Sequence, residues 1–219
     1  MTHIKHATPS GLYAITPESF SFSQLIDWAE VLLSHHVQWF QYRRKHLSQQ
    51  QRLNEAQRLN QLILQHNGHL IINDHVDLAI QINAHGVHLG ASDLSLTALK
   101  QRYPSHSLMV GASCYNNLEL AVKAKQEGAD YVAFGSVFAS QTKPQATLAP
   151  LTLFREAQSL LGMPTVAIGG ITLLNAKAVL NEGVSAIALV QALADLTTID
   201  STAQQFQQLI EARKQHEHA

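Results

Sequence analysis

Residues 70–93 read LIINDHVDLAIQINAHGVHLGASD, and this stretch decides the fold. It holds two short apolar runs, each followed by an aspartate, with room for only a short helix between them. Strands joined by such a helix run parallel, so their carboxyl ends lie side by side. Asp74 and Asp93 would then meet in one cleft, where two carboxylates can hold a hard cation such as Mg²⁺. Either aspartate alone could instead cap the helix that follows it.

The same alternation of short apolar runs and helical patterns continues along the chain. It predicts a parallel α/β sheet, and eight strands in 219 residues fit the lower size range of a single-domain (β/α)8 TIM barrel. An open doubly wound sheet is the alternative. The predicted strands are residues 12–15, 39–42, 70–72, 87–89, 108–110, 131–134, 165–168 and 186–189.

Helix signals fall between these runs. Ser48 and Gln51 form a capping box ahead of apolar residues spaced as one helix face, and Gly68 is expected to end that helix. Nothing rich in proline, glycine or serine divides the chain, so we expect residues 1–219 to form one domain. Later helices are predicted near residues 116–127, 150–161 and 173–181.

Composition limits the kind of protein this can be. The formal net charge of −1 argues against a nucleic-acid-binding surface. Cys114 is the single cysteine, which excludes a disulfide framework. The amino terminus lacks the apolar stretch of a signal peptide, and no run approaches a membrane span, so we expect a cytoplasmic protein without a membrane partner. The thirteen histidines show no metal-ligand spacing, and we expect them on the surface or in ordinary packing.

Basic residues follow the second predicted strand. Gln41, Arg43 and Lys45 alternate with Tyr42 and Arg44, so the first three share one face and could bind a diphosphate. The alternative is a solvated loop.

Other strand ends also carry polar groups. Ser113 after strand five could donate to an anion, whereas Cys114 beside it is expected to serve packing. The seventh strand ends in Gly169-Gly170, where a phosphate could approach backbone N–H groups, although such a pair can also be a tight turn. The loop after strand six offers hydroxyls and an ammonium for an anion, or is an ordinary polar loop; its residues are Ser140, Gln141, Thr142 and Lys143.

Taken together, these motifs closely resemble the thiamine phosphate synthase family. The resemblance spans residues 11–193, and the motifs occur in the right order at the ends of successive strands. They are QYRRK at 41–45, INDHVD at 72–77, GVHLG at 86–90, GADY at 128–131, TKP at 142–144 and AIGGI at 167–171.

The resemblance implies a (β/α)8 barrel that uses Mg²⁺ to join a hydroxymethylpyrimidine diphosphate to a thiazole phosphate. These small phosphorylated heterocycles would be its partners, and the sequence leaves open whether the barrel forms a homodimer. Asp74 and Asp93 would bind the metal. The pyrimidine diphosphate would lie among Gln41, Tyr42, Arg43, Arg44, Lys45, Asn73, Ser113 and Lys143, of which Arg43, Lys45, Ser113 and Lys143 would be catalytic. The thiazole phosphate would contact Ser140, Gln141, Thr142, Gly170, Val190 and Gln191.

Three positions depart from the family pattern. Ala91-Ser92 replaces a usual Gln-Glu, Ser140 replaces a threonine, and Gln191 replaces a serine. At Gln191 the backbone N–H donors to the thiazole phosphate need no particular side chain. The related thiazole tautomerase needs a histidine shortly after the strand-five serine, and residues 113–116 contain none. A non-catalytic sensor of thiamine phosphates is the other alternative.

No protein nucleophile is needed for the implied reaction. The pyrimidine amine can push electrons toward the C–O bond, and cationic side chains with Mg²⁺ can stabilise the departing pyrophosphate. His88 is expected to tune or pack beneath the site and not to act as a base.

Overall fold

The computed structural model describes residues 7–90, 93–139 and 147–217, which form one closed barrel of eight parallel strands. Each strand pairs with its sequence neighbours, and β1 closes the ring against β8 with Ala14 opposite Leu189. The predicted barrel is therefore confirmed, and the open doubly wound sheet is wrong. The strands are β1 (Gly11–Ile15), β2 (Trp39–Tyr42), β3 (His69–Asn73), β4 (Gly86–Leu89), β5 (Met109–Tyr115), β6 (Tyr131–Phe134), β7 (Thr165–Ile168) and β8 (Ala186–Leu189).

Helices alternate with the strands and cover the outside of the barrel. They are α1 (Phe22–Ser34), α2 (Gln49–Gln65), α3 (Val76–Gln81), α4 (Leu96–Arg102), α5 (Leu118–Gln126), α6 (Thr152–Leu161), α7 (Ala176–Leu180) and α8 (Ile199–Glu217), with a 3₁₀ turn at Gln191–Leu193. None of the helices in the described part of the chain is both long and apolar enough to cross a membrane.

The capping signals act as expected at the start of α2. The Ser48 hydroxyl accepts from the Gln51 N–H, and the Gln51 side chain accepts from the Ser48 N–H. At the other end the left-handed residue is Asn67, with φ 57°. Gly68 follows it and donates its N–H to the Ile63 carbonyl at 2.9 Å, which closes the helix.

The alternation of side chains along each strand separates two cores. Outward residues pack against the helices, while a smaller cluster that includes Tyr13, Met109 and Tyr131 fills the barrel interior. Gly111 makes room for this interior cluster, since a Cβ there would lie 2.1 Å from the Tyr131 ring. The interior of this barrel is therefore a packed core with polar groups in it.

Strand β5 extends further than the sequence predicted. We expected it to end at Val110, but it continues to Tyr115 and shifts register between Ser113 and Tyr115. Tyr115 has φ 54°, which is uncommon for a residue with a side chain. A bulge of this kind re-aims side chains at the rim of a barrel. It places Ser113 inside the strand and Tyr115 exposed at its end.

Candidate active site

Two aspartates meet at the carboxyl ends of β3 and β4. Asp74 follows β3 in the left-handed conformation, with φ 63°, and its N–H donates to the His88 carbonyl at 3.0 Å. Asp93 folds back, so that its Oδ2 accepts from the Gly90 N–H at 2.6 Å. Its carboxyl group also neighbours that of Asp74, which raises the pKa of Asp93 beyond the effect of burial. The structure thus brings together the two residues that the sequence proposed as metal ligands.

Lys45 completes this cluster. Its Nζ lies 3.1 Å from Oδ2 of Asp74. Partial burial raises the pKa of the Asp93 carboxyl, and the neighbouring Asp74 side chain raises it further. Two carboxyl groups this close disfavour each other's ionised form, and a cation between them offsets the repulsion between the two negative charges. In the described parts of the chain no group of three or more His, Cys, Asp or Glu side chains could hold a metal ion, so this site offers two ligands.

The loop after β1 holds the loop after β2 in place. Thr16 is buried, and its hydroxyl accepts from the Arg43 N–H at 2.8 Å and donates to the Arg43 carbonyl at 3.1 Å. Glu18 accepts from the Lys45 N–H at 2.8 Å and lies 3.5 Å from the Arg43 guanidinium. We did not single out Thr16 or Glu18 from the sequence, although Thr16 directly follows the apolar run 12–15 and Glu18 lies two residues further on.

Tyr42 and Arg44 point to the other side of β2. The Arg44 guanidinium is buried, donates to the carbonyls of Pro17 and Glu18, and pairs with Glu55 at 3.3 Å. The Tyr42 hydroxyl also donates to Glu55, at 3.1 Å, and burial raises the Tyr42 pKa. The polar groups of Tyr42 and Arg44 thus make their contacts between β2 and α2, on the outside of the barrel. This geometry does not favour the substrate-binding role that we predicted for them. Their outward direction follows from the same alternation along the strand that turns Gln41 inward.

A hydrogen-bonded chain crosses the barrel interior beneath the aspartates. Gln41 Nε2 donates to the Tyr13 hydroxyl at 3.0 Å, which lies 3.2 Å from the Tyr131 hydroxyl. The Tyr131 hydroxyl lies 2.8 Å from His88 Nδ1, and His88 Nε2 lies 2.9 Å from Ser113 Oγ. Burial lowers the pKa of His88 to about 4. His88 is thus a neutral buried ring joined to Ser113, and the two tyrosines were not predicted as part of the site.

The strand ends on the opposite side of the mouth expose backbone. Gly169 and Gly170 have φ of 103° and 64°, and a Cβ on Gly170 would lie 2.6 Å from the Ala139 carbonyl oxygen. Asn175 fixes the turn, since its Oδ1 accepts from the Thr172 N–H and its Nδ2 donates to the Gly170 carbonyl. The positive φ values and the close approach of Ala139 require glycine here, and the Asn175 hydrogen bonds fix the conformation of the turn.

The remaining predicted residues fall into three groups. Asn73 ends β3 and is partly buried, while Val190 and Gln191 follow β8 at the same end of the barrel. Cys114 is buried, and burial raises its thiol pKa to about 12, which fits a packing role. Ser140, Gln141, Thr142 and Lys143 lie outside the described residues, as do Ala91 and Ser92.

Comparison with known proteins identifies the family. The family model described as thiamine monophosphate synthase matches residues 12–193. The chain is 43% identical over 200 residues to a thiamine-phosphate synthase of Nitrosomonas eutropha, covering 91% of this chain and 94% of that one. It is 44% identical over 207 residues to one of Methylobacillus flagellatus, with coverage of 94% and 98%.

A solved structure supports the same grouping. Thiamine phosphate pyrophosphorylase from Pyrococcus furiosus superposes with a TM-score of 0.81 at 30% identity, covering 93% of this chain and 96% of that structure. Sequence and fold therefore agree over nearly the whole length of both proteins. The chain belongs to the thiamine monophosphate synthase family.

Proposed function

We propose that this protein is the transferase that joins 4-amino-2-methyl-5-(diphosphooxymethyl)pyrimidine to thiazole phosphate, giving thiamine monophosphate and pyrophosphate. Its membership of the family supports the reaction. The observation in the structure that carries it is the cluster at the barrel mouth, where Lys45 contacts Asp74 beside Asp93. A cationic side chain next to a carboxyl pair suits a substrate whose leaving group is a diphosphate.

The chemistry is a dissociative substitution at the CH₂ group of the pyrimidine. The exocyclic amine donates electron density into the ring, the C–O bond breaks, and the electron pair leaves with pyrophosphate. The thiazole nitrogen then forms the new C–N bond to the delocalised cation. No side chain has to act as a nucleophile, so the protein contributes orientation and charge stabilisation.

Arg43 and Lys45 are the cations that we assign to the leaving diphosphate. Thr16 and Glu18 accept from the backbone N–H groups of Arg43 and Lys45, so the backbone that carries both side chains is fixed. Arg43 keeps about a third of its side chain exposed and Lys45 half, which leaves their donors accessible to a substrate at the mouth. Lys143 is our third cation for this diphosphate, on the evidence of its sequence position alone.

The carboxyl pair fits Mg²⁺. Burial raises the pKa of Asp93 and the neighbouring Asp74 carboxyl group raises it further, and paired oxygen ligands of this kind suit a hard cation. Asp74 and Asp93 would hold the ion. The chemistry it would supply there is Lewis-acid neutralisation of the diphosphate. Lys45, beside Asp74, would add a positive charge at the same place.

The other assignments divide the mouth into two halves. We assign Asn73, Ser113 and Gln41 to the pyrimidine half, and the turn at Gly170 with Val190 and Gln191 to the thiazole phosphate. The glycine turn supports this, because phosphates in such barrels commonly bind after strands seven and eight. Ser140, Gln141 and Thr142 would complete the phosphate contacts. We also infer that the protein is cytoplasmic and that residues 1–219 act as one domain. Sedimentation analysis would establish whether it forms a homodimer.

One incubation tests the reaction. Purified protein, both phosphorylated heterocycles and Mg²⁺ should yield thiamine monophosphate and an equal amount of pyrophosphate. Omitting either heterocycle is the control. Isomerisation of a thiazole substrate on its own would indicate the tautomerase. Binding of the heterocycles without any product, by folded protein, would indicate a sensor, and either result would refute the synthase.

A further inference from the structure

The polar chain inside the barrel has a direction that the structure allows us to assign. It joins side chains from five strands and ends at the mouth on Ser113. At its start, Gln41 Nε2 is a donor, and the Tyr13 oxygen accepts from it at 3.0 Å. Tyr13 is 1% exposed, so its own proton needs an acceptor inside the protein. Within the described part of the chain, its other hydrogen-bond partner is the Tyr131 oxygen.

The next two links follow from this first one. Because the Tyr131 oxygen accepts from Tyr13, its own proton is available for His88 Nδ1, 2.8 Å away. The His88 ring is 7% exposed, and each of its nitrogens faces a neutral hydroxyl group. A neutral ring carries one proton. With Nδ1 as the acceptor, that proton is on Nε2 and is donated to Ser113 Oγ, 2.9 Å away.

We propose that this chain of hydrogen bonds sets the role of Ser113. It fixes His88 as the Nε2–H tautomer and leaves the Ser113 proton free to be donated to an acceptor atom of the pyrimidine diphosphate. Tyr131 is then a positioning residue for the reaction, acting through His88 from the middle of the barrel. The inference rests on the proposed function, since that function supplies the substrate which receives the hydrogen bond.

The opposite direction would give the site the opposite chemistry. If Ser113 donated to His88 Nε2, the hydroxyl would offer only lone pairs to the mouth. A lone pair facing an anionic substrate is repulsive, whereas a donated proton stabilises the negative charge. The direction of the Tyr131 hydroxyl proton thus decides whether Ser113 favours or opposes substrate binding and loss of the diphosphate. This effect comes from the hydroxyl group and not from packing, because phenylalanine would fill the same space without it.

Nuclear magnetic resonance tests the assignment without relying on activity. Long-range ¹H–¹⁵N correlation spectra of protein labelled with ¹⁵N-histidine distinguish the two tautomers, and the peaks lost in His88→Gln identify the ring. We expect Nε2 protonated and Nδ1 unprotonated in the folded wild-type protein. A ring protonated on Nδ1, or on both nitrogens, would overturn the proposal.

Tyr131→Phe tests the consequence, with Tyr103→Phe as the matched control. Tyr103 also loses a phenol hydrogen bond, to Asp77, but on the outside of the barrel. In Tyr131→Phe we expect the His88 tautomer to change and kcat to fall about tenfold, with KM for the pyrimidine diphosphate changed less. The control should keep both the tautomer and kcat.

The outcomes distinguish a failure of the hydrogen-bond proposal from a failure of the proposed function. A lower melting temperature with an unchanged tautomer, or with unchanged kcat, would reduce the chain to a structural role and overturn the proposal. Failure of the wild-type protein to make thiamine monophosphate would refute the proposed function instead. The tautomer spectra would still report on the hydrogen-bond chain in that case.

Discussion

The ammonium of Lys45 lies 3.1 Å from the carboxylate of Asp74, although the two residues come from adjacent strand ends assigned to different tasks. One belongs to the basic segment after β2 and the other to the carboxyl pair after β3 and β4. Their contact joins the predicted diphosphate and metal sites into a single cluster. A change to either residue should therefore alter both functions.

Removal of either aspartate should slow the reaction. We expect Asp74→Ala or Asp93→Ala to lower kcat at least tenfold, equivalent to about 1.4 kcal/mol, because the leaving diphosphate would lose the charge neutralisation of the cation that the two carboxyl groups would hold. Chelation of the wild-type protein by EDTA should have the same effect, and added Mg²⁺ should reverse it. Asp77→Ala, at an exposed carboxylate on α3, is the control. Full activity in metal-free buffer would contradict the metal assignment.

Lys143 should matter more for turnover than for binding. Charge on the diphosphate grows as the C–O bond breaks, so an ammonium there stabilises the transition state more than the ground state. Lys143→Met should lower kcat about a hundredfold, or about 2.7 kcal/mol, in single-turnover measurements at saturating substrate. Lys123→Met, an exposed lysine on α5, provides the comparison. Weaker affinity at an unchanged rate would show that Lys143 only gathers substrate.

Tyr115 should be dispensable as an acid or base. It is exposed at the bulged end of β5, where the tautomerase would need a histidine nearby. Tyr115→Phe should retain most synthase activity, since the proposed ionisation needs no phenol proton. Steady-state assays together with circular dichroism would check this. A loss above about a hundredfold with an intact fold is the size expected of a general acid or base, and it would reveal a missed proton transfer.

Arg44 should affect stability and not substrate affinity. It is buried against Glu55 and the carbonyls of Pro17 and Glu18, so its removal leaves a largely buried carboxylate with the Tyr42 hydroxyl as a partner but without its ion pair. We expect Arg44→Met to lower the free energy of unfolding by about 3 kcal/mol. KM of the folded variant should stay near the wild-type value. A raised KM at unchanged stability would restore the substrate-binding role that the sequence suggested.

Acid should destabilise the protein partly through His69. This ring lies at the start of β3, 4.2 Å from the His85 ring between centroids. Burial, followed by the charge of His85, lowers the pKa of His69 from 6.5 to about 4. The unfolded chain therefore binds a proton more readily between pH 6.5 and 4, and stability falls as pH drops through this window.

Melting temperatures at several pH values would measure the His69 contribution. His69→Gln should lose less stability than the wild-type protein between pH 7 and pH 4.5. His66→Gln, which removes an exposed histidine at the end of α2, should behave like the wild type. Parallel curves for His69→Gln and wild type would remove His69 as a source of acid sensitivity.

The sequence predicted the barrel because each strand is a local signal. Apolar runs such as 131–134 and 165–168 match their strands to the residue. Asp74 and Asp93 were also accessible, since adjacent parallel strands must end side by side.

Other features depended on contacts between distant parts of the chain. The sequence alone does not distinguish Arg44 from Arg43. The carboxylate that pairs with Arg44 belongs to Glu55, eleven residues away on α2. Tyr13 and Tyr131 are separated by 118 residues and meet only because the barrel closes. No local pattern marks such a pair. Each reads as an ordinary tyrosine in an apolar run until the inward face of its strand is known.

The meeting of Tyr13 and Tyr131 also ties the proposed role of Ser113 to closure of the barrel. Tyr13 comes from β1, which completes the ring by pairing with β8, so its hydrogen bond to Tyr131 belongs to the closed ring. A fragment that forms the other strands but lacks β1 would lack Tyr13, and with it the fixed proton positions that we propose for His88 and Ser113. Under that proposal, catalytic activity reports on closure of the ring.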